Sequence, residues 1–148
     1  MKRNIKLLSF IALSFGIIFS SCKKDDDPSP KEQKIEELSG TWNIVGADVL
    51  DEAITGVSIT FTVENTTYAV TGLNIFTDAN LNHNNDLAEN GTFSLNDNLD
   101  VVSLNPGGDF NITSLNKETG DLQLRYEAPF QKASDDSRSI TLTLEFVE

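Results

Sequence analysis

Val57-Ser58-Ile59-Thr60-Phe61-Thr62-Val63-Glu64 alternates apolar and polar side chains without a break. Successive side chains of an extended strand point to opposite faces. The stretch therefore offers Val57, Ile59, Phe61 and Val63 to a core, and Ser58, Thr60, Thr62 and Glu64 to water. The same period recurs downstream. Leu122, Leu124 and Tyr126 alternate with Gln123, Arg125 and Glu127, and Ile140, Leu142, Leu144 and Phe146 alternate with Thr141, Thr143 and Glu145. Strands wetted on one face belong to antiparallel sheets.

Weaker stretches of the same kind fall at Trp42–Leu50, Thr67–Phe76, Thr92–Leu95, Leu99–Leu104 and Phe110–Leu115, giving eight strands in all. One of them changes phase. Tyr68 and Val70 share a face, the next apolar pair is Leu73 and Ile75, and Gly72 sits at the switch. A glycine inside a strand marks a bulge or bend, so a bulge is expected there. The connections are mostly short and rich in turn residues: Glu64-Asn65-Thr66, Asn96-Asp97-Asn98, Asn105-Pro106-Gly107-Gly108 and Lys117-Glu118-Thr119-Gly120. Short links join antiparallel neighbours, because a parallel crossover needs a dozen residues or more. No sustained helical period follows Gly40, and Lys31–Leu38 has room for a helical turn or two. The expected fold is all-β, an eight-stranded antiparallel up-and-down barrel that leaves no open edge, with a two-sheet β-sandwich as the alternative.

Upstream of the strands the chain has a different character. Lys2, Arg3 and Lys6 precede the uncharged run Leu7–Phe19, LLSFIALSFGIIF. Thirteen residues suit the apolar segment of a secretory signal and fall short of the roughly 20 that a membrane-spanning helix needs. Phe19-Ser20-Ser21-Cys22 then resembles the lipobox of bacterial lipoproteins, although the common pattern has Leu where Phe19 stands and Gly or Ala where Ser21 stands. The resemblance implies that Cys22 receives a diacylglyceryl group, becomes the new N-terminus and is the site of lipidation. Two or more acyl chains hold a protein stably at a bilayer where one does not. Lys23-Lys24-Asp25-Asp26-Asp27 is similar to the acidic export signal of Bacteroidetes lipoproteins, which implies the outer membrane, facing the cell exterior, with the periplasmic face as the alternative. The domain reading is a signal peptide over 1–21, the lipidated cysteine and a hydrated acidic tether over 22–37, and a barrel over 38–148. Fully extended, the tether residues Lys23–Glu37 reach at most ~50 Å.

Leu38-Ser39-Gly40-Thr41-Trp42 resembles the Gly-x-Trp opening of lipocalins, in which the tryptophan plugs the barrel base; that role is implied for Trp42. Gly91-Thr92-Phe93-Ser94-Leu95, Phe110–Leu115, Leu122–Tyr126 and Ile140–Phe146 resemble successive strands of the small lipocalin-like domains of Bacteroidetes lipoproteins. The family implies an eight-stranded barrel and supplies no catalytic residues to carry over. If buried, the Trp42 indole N–H requires a partner.

Charge bounds the partners. All 23 acidic residues follow Cys22, and three of the eleven basic residues precede it, so the chain from Cys22 onward holds 23 acids against eight bases, a net −15. Such a surface repels nucleic acid and anionic headgroups and favours cations or basic partners. One cysteine and one histidine exclude an intramolecular disulfide and a thiol-ligated zinc site. His83 has no nucleophile near it in sequence, and no phosphate-binding glycine loop occurs, so no enzymatic activity is expected.

One polar constellation remains. In the twelve-residue run Asp78–Glu89, the oxygen-bearing side chains of Asp78, Asn80, Asn82, Asn84, Asp86 and Glu89 stand at positions 1, 3, 5, 7, 9 and 12, the ligand spacing of an EF-hand calcium loop. His83 occupies the position that the loop reserves for glycine, and the flanks read as strands. The competing reading is a polar hairpin loop rich in turn-forming Asn. The functional expectation is a membrane-anchored, non-enzymatic binding module for a small apolar ligand, a glycan or a protein. Its alternative is an interaction lipoprotein whose barrel is filled by bulky side chains such as Phe61, Phe93, Leu124 and Phe146.

Overall fold

The computed structural model describes residues 27–79, 81–82, 85–129 and 137–148; residues 1–26, Cys22 among them, lie outside. In chain order the elements are α1 (Pro30–Leu38), β1 (Gly40–Ala47), β2 (Ser58–Thr62), β3 (Thr67–Thr71), α2 (Leu73–Asp78), β4 (Asn90–Leu95), β5 (Val101–Asn105), β6 (Asp109–Asn116), β7 (Asp121–Pro129) and β8 (Ser137–Val147). Each strand pairs antiparallel with the next, and β1 closes the ring on β8, from Thr41 opposite Val147 to Ala47 opposite Leu142. The fold is a closed eight-stranded up-and-down barrel, which sets the sandwich aside. Bulges between Ile44 and Gly46 and between Ile112 and Ser114 shift the register, as curved barrel walls require.

The period-2 stretches face as their alternation demands. Trp42, Ile44, Ile59, Phe61, Tyr68, Phe93, Val102, Phe110, Leu122, Leu124, Tyr126, Ile140, Leu142 and Leu144 are buried in one core. Edge-on aromatic pairs tie the wall together, with ring centres 5.0 Å apart for Trp42 and Phe146 on the adjacent β1 and β8, and 5.1 Å for Phe61 and Phe93, which meet from β2 and β4 across the intervening β3. The outer wall carries Thr, Ser, Asn, Gln and Glu. Thr41 bonds to Thr60 across β1 and β2, and Ser58 bonds to Thr71 across β2 and β3. Apolar inside and polar outside is the inverse of a membrane-spanning barrel. No helix among the described residues is long and apolar enough to cross a membrane.

Three stretches differ from the sequence expectation. First, Pro30–Leu38 is a continuous nine-residue helix, slightly longer than the turn or two expected over Lys31–Leu38, so the hydrated tether does not run to residue 37. Ser29 caps it, with Pro30 at the first helical position. The Ser29 hydroxyl accepts from the Glu32 N–H while the Ser29 N–H donates to the Glu32 carboxylate at 2.7 Å, a complete capping box. That bond holds the Glu32 carboxyl below its usual pKa. Second, Gly72 is no strand bulge. It adopts φ 71° and starts α2, so β3 ends at Thr71. The apparent alternation of Leu73 with Ile75 dissolves: Phe76 is the buried residue of α2, and Ile75 is 40 % exposed. Third, Leu99 lies in a turn at φ 61° and not in a strand. The Asn96 carboxamide accepts from the N–H groups of Asp100 and Val101 and holds that turn closed.

The meander gives the barrel two unlike ends. The base carries the tight turns 63–66, 96–100 and 117–120 and is covered by α1. The mouth carries the long connections 48–57 and 72–89, together with the turn 106–108.

Candidate functional site

At the base, Trp42 is fully buried and its indole N–H donates to the Leu38 carbonyl at 2.8 Å. Lys117, from the β6–β7 turn, lies 5.0 Å over the Phe146 ring and donates to the Ser39 hydroxyl at 3.0 Å and the Glu36 carbonyl at 3.4 Å. A cation at a helix C-terminus complements the exposed carbonyls and the dipole. Leu38, the last residue of α1, is wholly buried, and Ile35 packs against the core. The base is therefore sealed by packing.

The mouth is different. Its plug comes from the β3–β4 connection, in which Phe76, Leu81 and Leu87 are buried. The Tyr126 hydroxyl donates to the Leu81 carbonyl and the Tyr68 hydroxyl to the Pro106 carbonyl, so two tyrosines from the wall hold the plug and the β5–β6 turn. Burial pushes both phenols above their ordinary pKa, and for Tyr126 the carboxylates of Asp86 and Asp48 push further.

Beside the plug a groove of about 490 Å³ opens between the two long connections. Leu50, Ala53, Ile54, Ile75 and Ala79 supply its apolar lining, with Asp51, Glu52 and Thr55 completing it. One wall, the β1–β2 connection, is tied to the barrel. The Leu50 N–H donates to the Ala47 carbonyl, the Ile54 N–H to the Val45 carbonyl and the Asp48 N–H to the Thr141 carbonyl, each at 3.0 Å. The Asp48 carboxylate in turn accepts from the Thr141 N–H at 2.9 Å. The other wall, α2, meets the first at a pair of glycines. A Cβ on Gly72 would stand 2.0 Å from the Gly56 carbonyl oxygen, and one on Gly56 would stand 3.3 Å from Ile75 Cδ1. Only backbone fits at that crossing, which fixes the groove walls relative to each other. The volume lies within the range typical of small-molecule sites.

Of the six residues spaced as a calcium loop, Asn80 and Asn84 lie outside the described residues, as does His83. The other four have separate surroundings. Asp78 ends α2. The Asn82 carboxamide spans the loop, donating to the Leu87 carbonyl and accepting from the Leu87 N–H, both at 3.0 Å. Asp86 is buried, its carboxylate within contact distance of Gly108. Glu89 accepts through its backbone from the Val70 N–H at 2.8 Å. Among the described residues no three Asp, Glu, His or Cys side chains gather where a metal ion would fit.

Sequence reasoning did not single out Leu50–Thr55, Ile75 or Ala79. The available signal was connection length: ten residues over 48–57 and eighteen over 72–89 interrupt a meander of otherwise tight turns. Long connections on a rigid scaffold are where binding surfaces concentrate. No family model, no curated protein and no solved structure matches this chain.

Proposed function

We propose that the protein is a lipid-anchored, non-enzymatic binding module, held at the outer membrane through Cys22 and presenting its mouth away from the bilayer. The observation that carries the reading is the opposition of the two ends. The chain enters at the base through α1, while the groove opens at the mouth. Because α1 is docked through Leu38 and Lys117, the free reach from Cys22 runs only to Ser29. Seven residues span at most ~25 Å, half the reach of an unfolded tether to residue 37. Such an anchor keeps the base near the headgroups and turns the groove outward.

The aromatic filling of the barrel supports a ligand held at the mouth in preference to a deep internal cup. The polar outer wall supports a barrel that stands in water beside the membrane. Cys22→Ser tests the anchor: the substituted protein is expected to leave the membrane fraction and to lose incorporation of labelled palmitate. Protease added to intact cells tests the orientation and is expected to cleave the anchored protein. Retention of the Cys22→Ser protein on membranes would overturn the reading.

A further inference from the structure

The groove has a sided chemistry that narrows its ligand. Its floor is aliphatic: Ile54 is buried, Leu50 and Ala79 are half-buried, and Ile75 is one of two large apolar residues exposed among the described residues. Its rim is anionic. Asp51 and Glu52 line it and are exposed, and Asp48 stands next in the same connection. The charge extends across the mouth. The connections 48–57 and 72–89 together carry Asp48, Asp51, Glu52, Asp78, Asp86 and Glu89 and contain no lysine or arginine, and the turn 106–108 has no charge at all. Residues 130–136 lie outside the described residues. Of the three described bases after Leu38, Lys117 is committed to the base, Arg125 sits on the barrel wall opposite Asn111 and Thr141, and Arg138 stands at the mouth end of β8 opposite Ala128, one base against the six acids of the two long connections.

An apolar slot rimmed by an excess of carboxylates discriminates by charge among ligands of equal apolar size. An anion loses binding through repulsion, and a cation gains it through attraction and through direct bonds to the carboxylates. The Gly56–Gly72 crossing keeps the walls apart and in register, so the slot exists before the ligand arrives. We propose that the mouth groove takes a small amphiphilic cation: an apolar alkyl or aryl body laid on Leu50, Ile54 and Ile75, with an ammonium group against Asp51 and Glu52. This rests on the binding-module reading and specifies its ligand class.

The test uses the anchored protein in nanodiscs, with empty nanodiscs as blank, and ligand-observed NMR with three probes that share one body: 4-phenylbutylamine, 4-phenylbutanol and 4-phenylbutyrate. The expected order is amine, then alcohol, then acid, with the amine about tenfold tighter than the acid at low ionic strength. The double substitution Asp51→Asn and Glu52→Gln is expected to bring the three within about twofold of one another while leaving the alcohol unchanged. Ile75→Asn, at an exposed site that leaves the core intact, is expected to weaken all three. Equal binding of the three probes to the unsubstituted protein would overturn the charge rule and leave the groove as a binding site. Tightest binding by the acid would overturn the charge rule as well. Binding no stronger than to empty nanodiscs would remove the groove itself, and the binding-module reading with it.

Discussion

Tyr126 and Tyr68 show how single side chains couple the wall to what covers it. Each buries a phenol whose hydroxyl donates to a backbone carbonyl of a mouth connection. The bond requires the neutral hydroxyl, and burial opposes the phenolate, so both pKa values are raised in the folded chain. In the unfolded chain a tyrosine ionises near about pH 10. The folded state therefore holds the protons longer, and the stability contributed by the two phenols is present below that pH and lost as pH rises towards their folded values. Replacing both by Phe removes two hydrogen bonds, at a cost of about 1 kcal/mol each near neutral pH. It also removes the alkaline titration. Denaturant melts at pH 7 and pH 11 are expected to show the Tyr68→Phe, Tyr126→Phe protein less stable than the parent at pH 7, with the gap narrowed at pH 11. A gap that is constant with pH would mean that the phenols ionise alike in both states.

At the scale of elements, the strands were legible because burial imposes a period that nothing else in a sequence mimics over eight residues. Val57–Glu64, Leu122–Glu127 and Ile140–Phe146 needed no context, and their buried faces are the faces that the alternation assigns. What escaped the reading was governed by one or two residues at an element's start. Ser29-Pro30-Lys31-Glu32 carries a capping box and an N-terminal proline, yet its Lys-Glu composition also reads as solvated linker. Gly72 separates strand from helix by adopting a left-handed conformation. The apolar residues beyond it fit a two-residue period and a short helix equally well. The groove was invisible for a further reason: Leu50, Ile54 and Ile75 come from two connections brought together only by the closed ring.

Gly72→Ala measures what that junction contributes. The left-handed φ costs an alanine about 1–2 kcal/mol, and the clash with the Gly56 carbonyl adds to it, for an expected loss of about 2–4 kcal/mol. Trp42, the sole tryptophan, reports the transition in a denaturant melt by its emission. The same connection answers the calcium question. With Asn82 closed on Leu87 and Asp86 buried towards Gly108, the loop is braced by its own hydrogen bonds and packing. A melting temperature that stays flat up to millimolar calcium is therefore expected, and a rise would show that the ligand spacing of Asp78–Glu89 is used.

For the whole molecule the dominant unbalanced force is charge. From Leu38 onward the sequence holds 17 acidic residues and four basic ones, and the closed ring places most of those acids on one compact surface. Among the described residues the single ion pair is the half-buried Lys34 with Glu37 at 3.3 Å, one turn apart on α1. Screening therefore removes far more repulsion than attraction. Repulsion among like charges is greater in the compact state than in the expanded chain, so added salt relieves the folded state preferentially. At 0.15 M ionic strength the screening length is about 8 Å, shorter than the distance across the barrel but comparable to the spacing of neighbouring surface carboxylates. The melting temperature is expected to rise by a few degrees between 10 mM and 500 mM sodium chloride, with most of the gain below about 200 mM. A fall in melting temperature with salt would require attractive pairs to outweigh the acidic surplus, and the charge field assigned to the barrel mouth would fall with it.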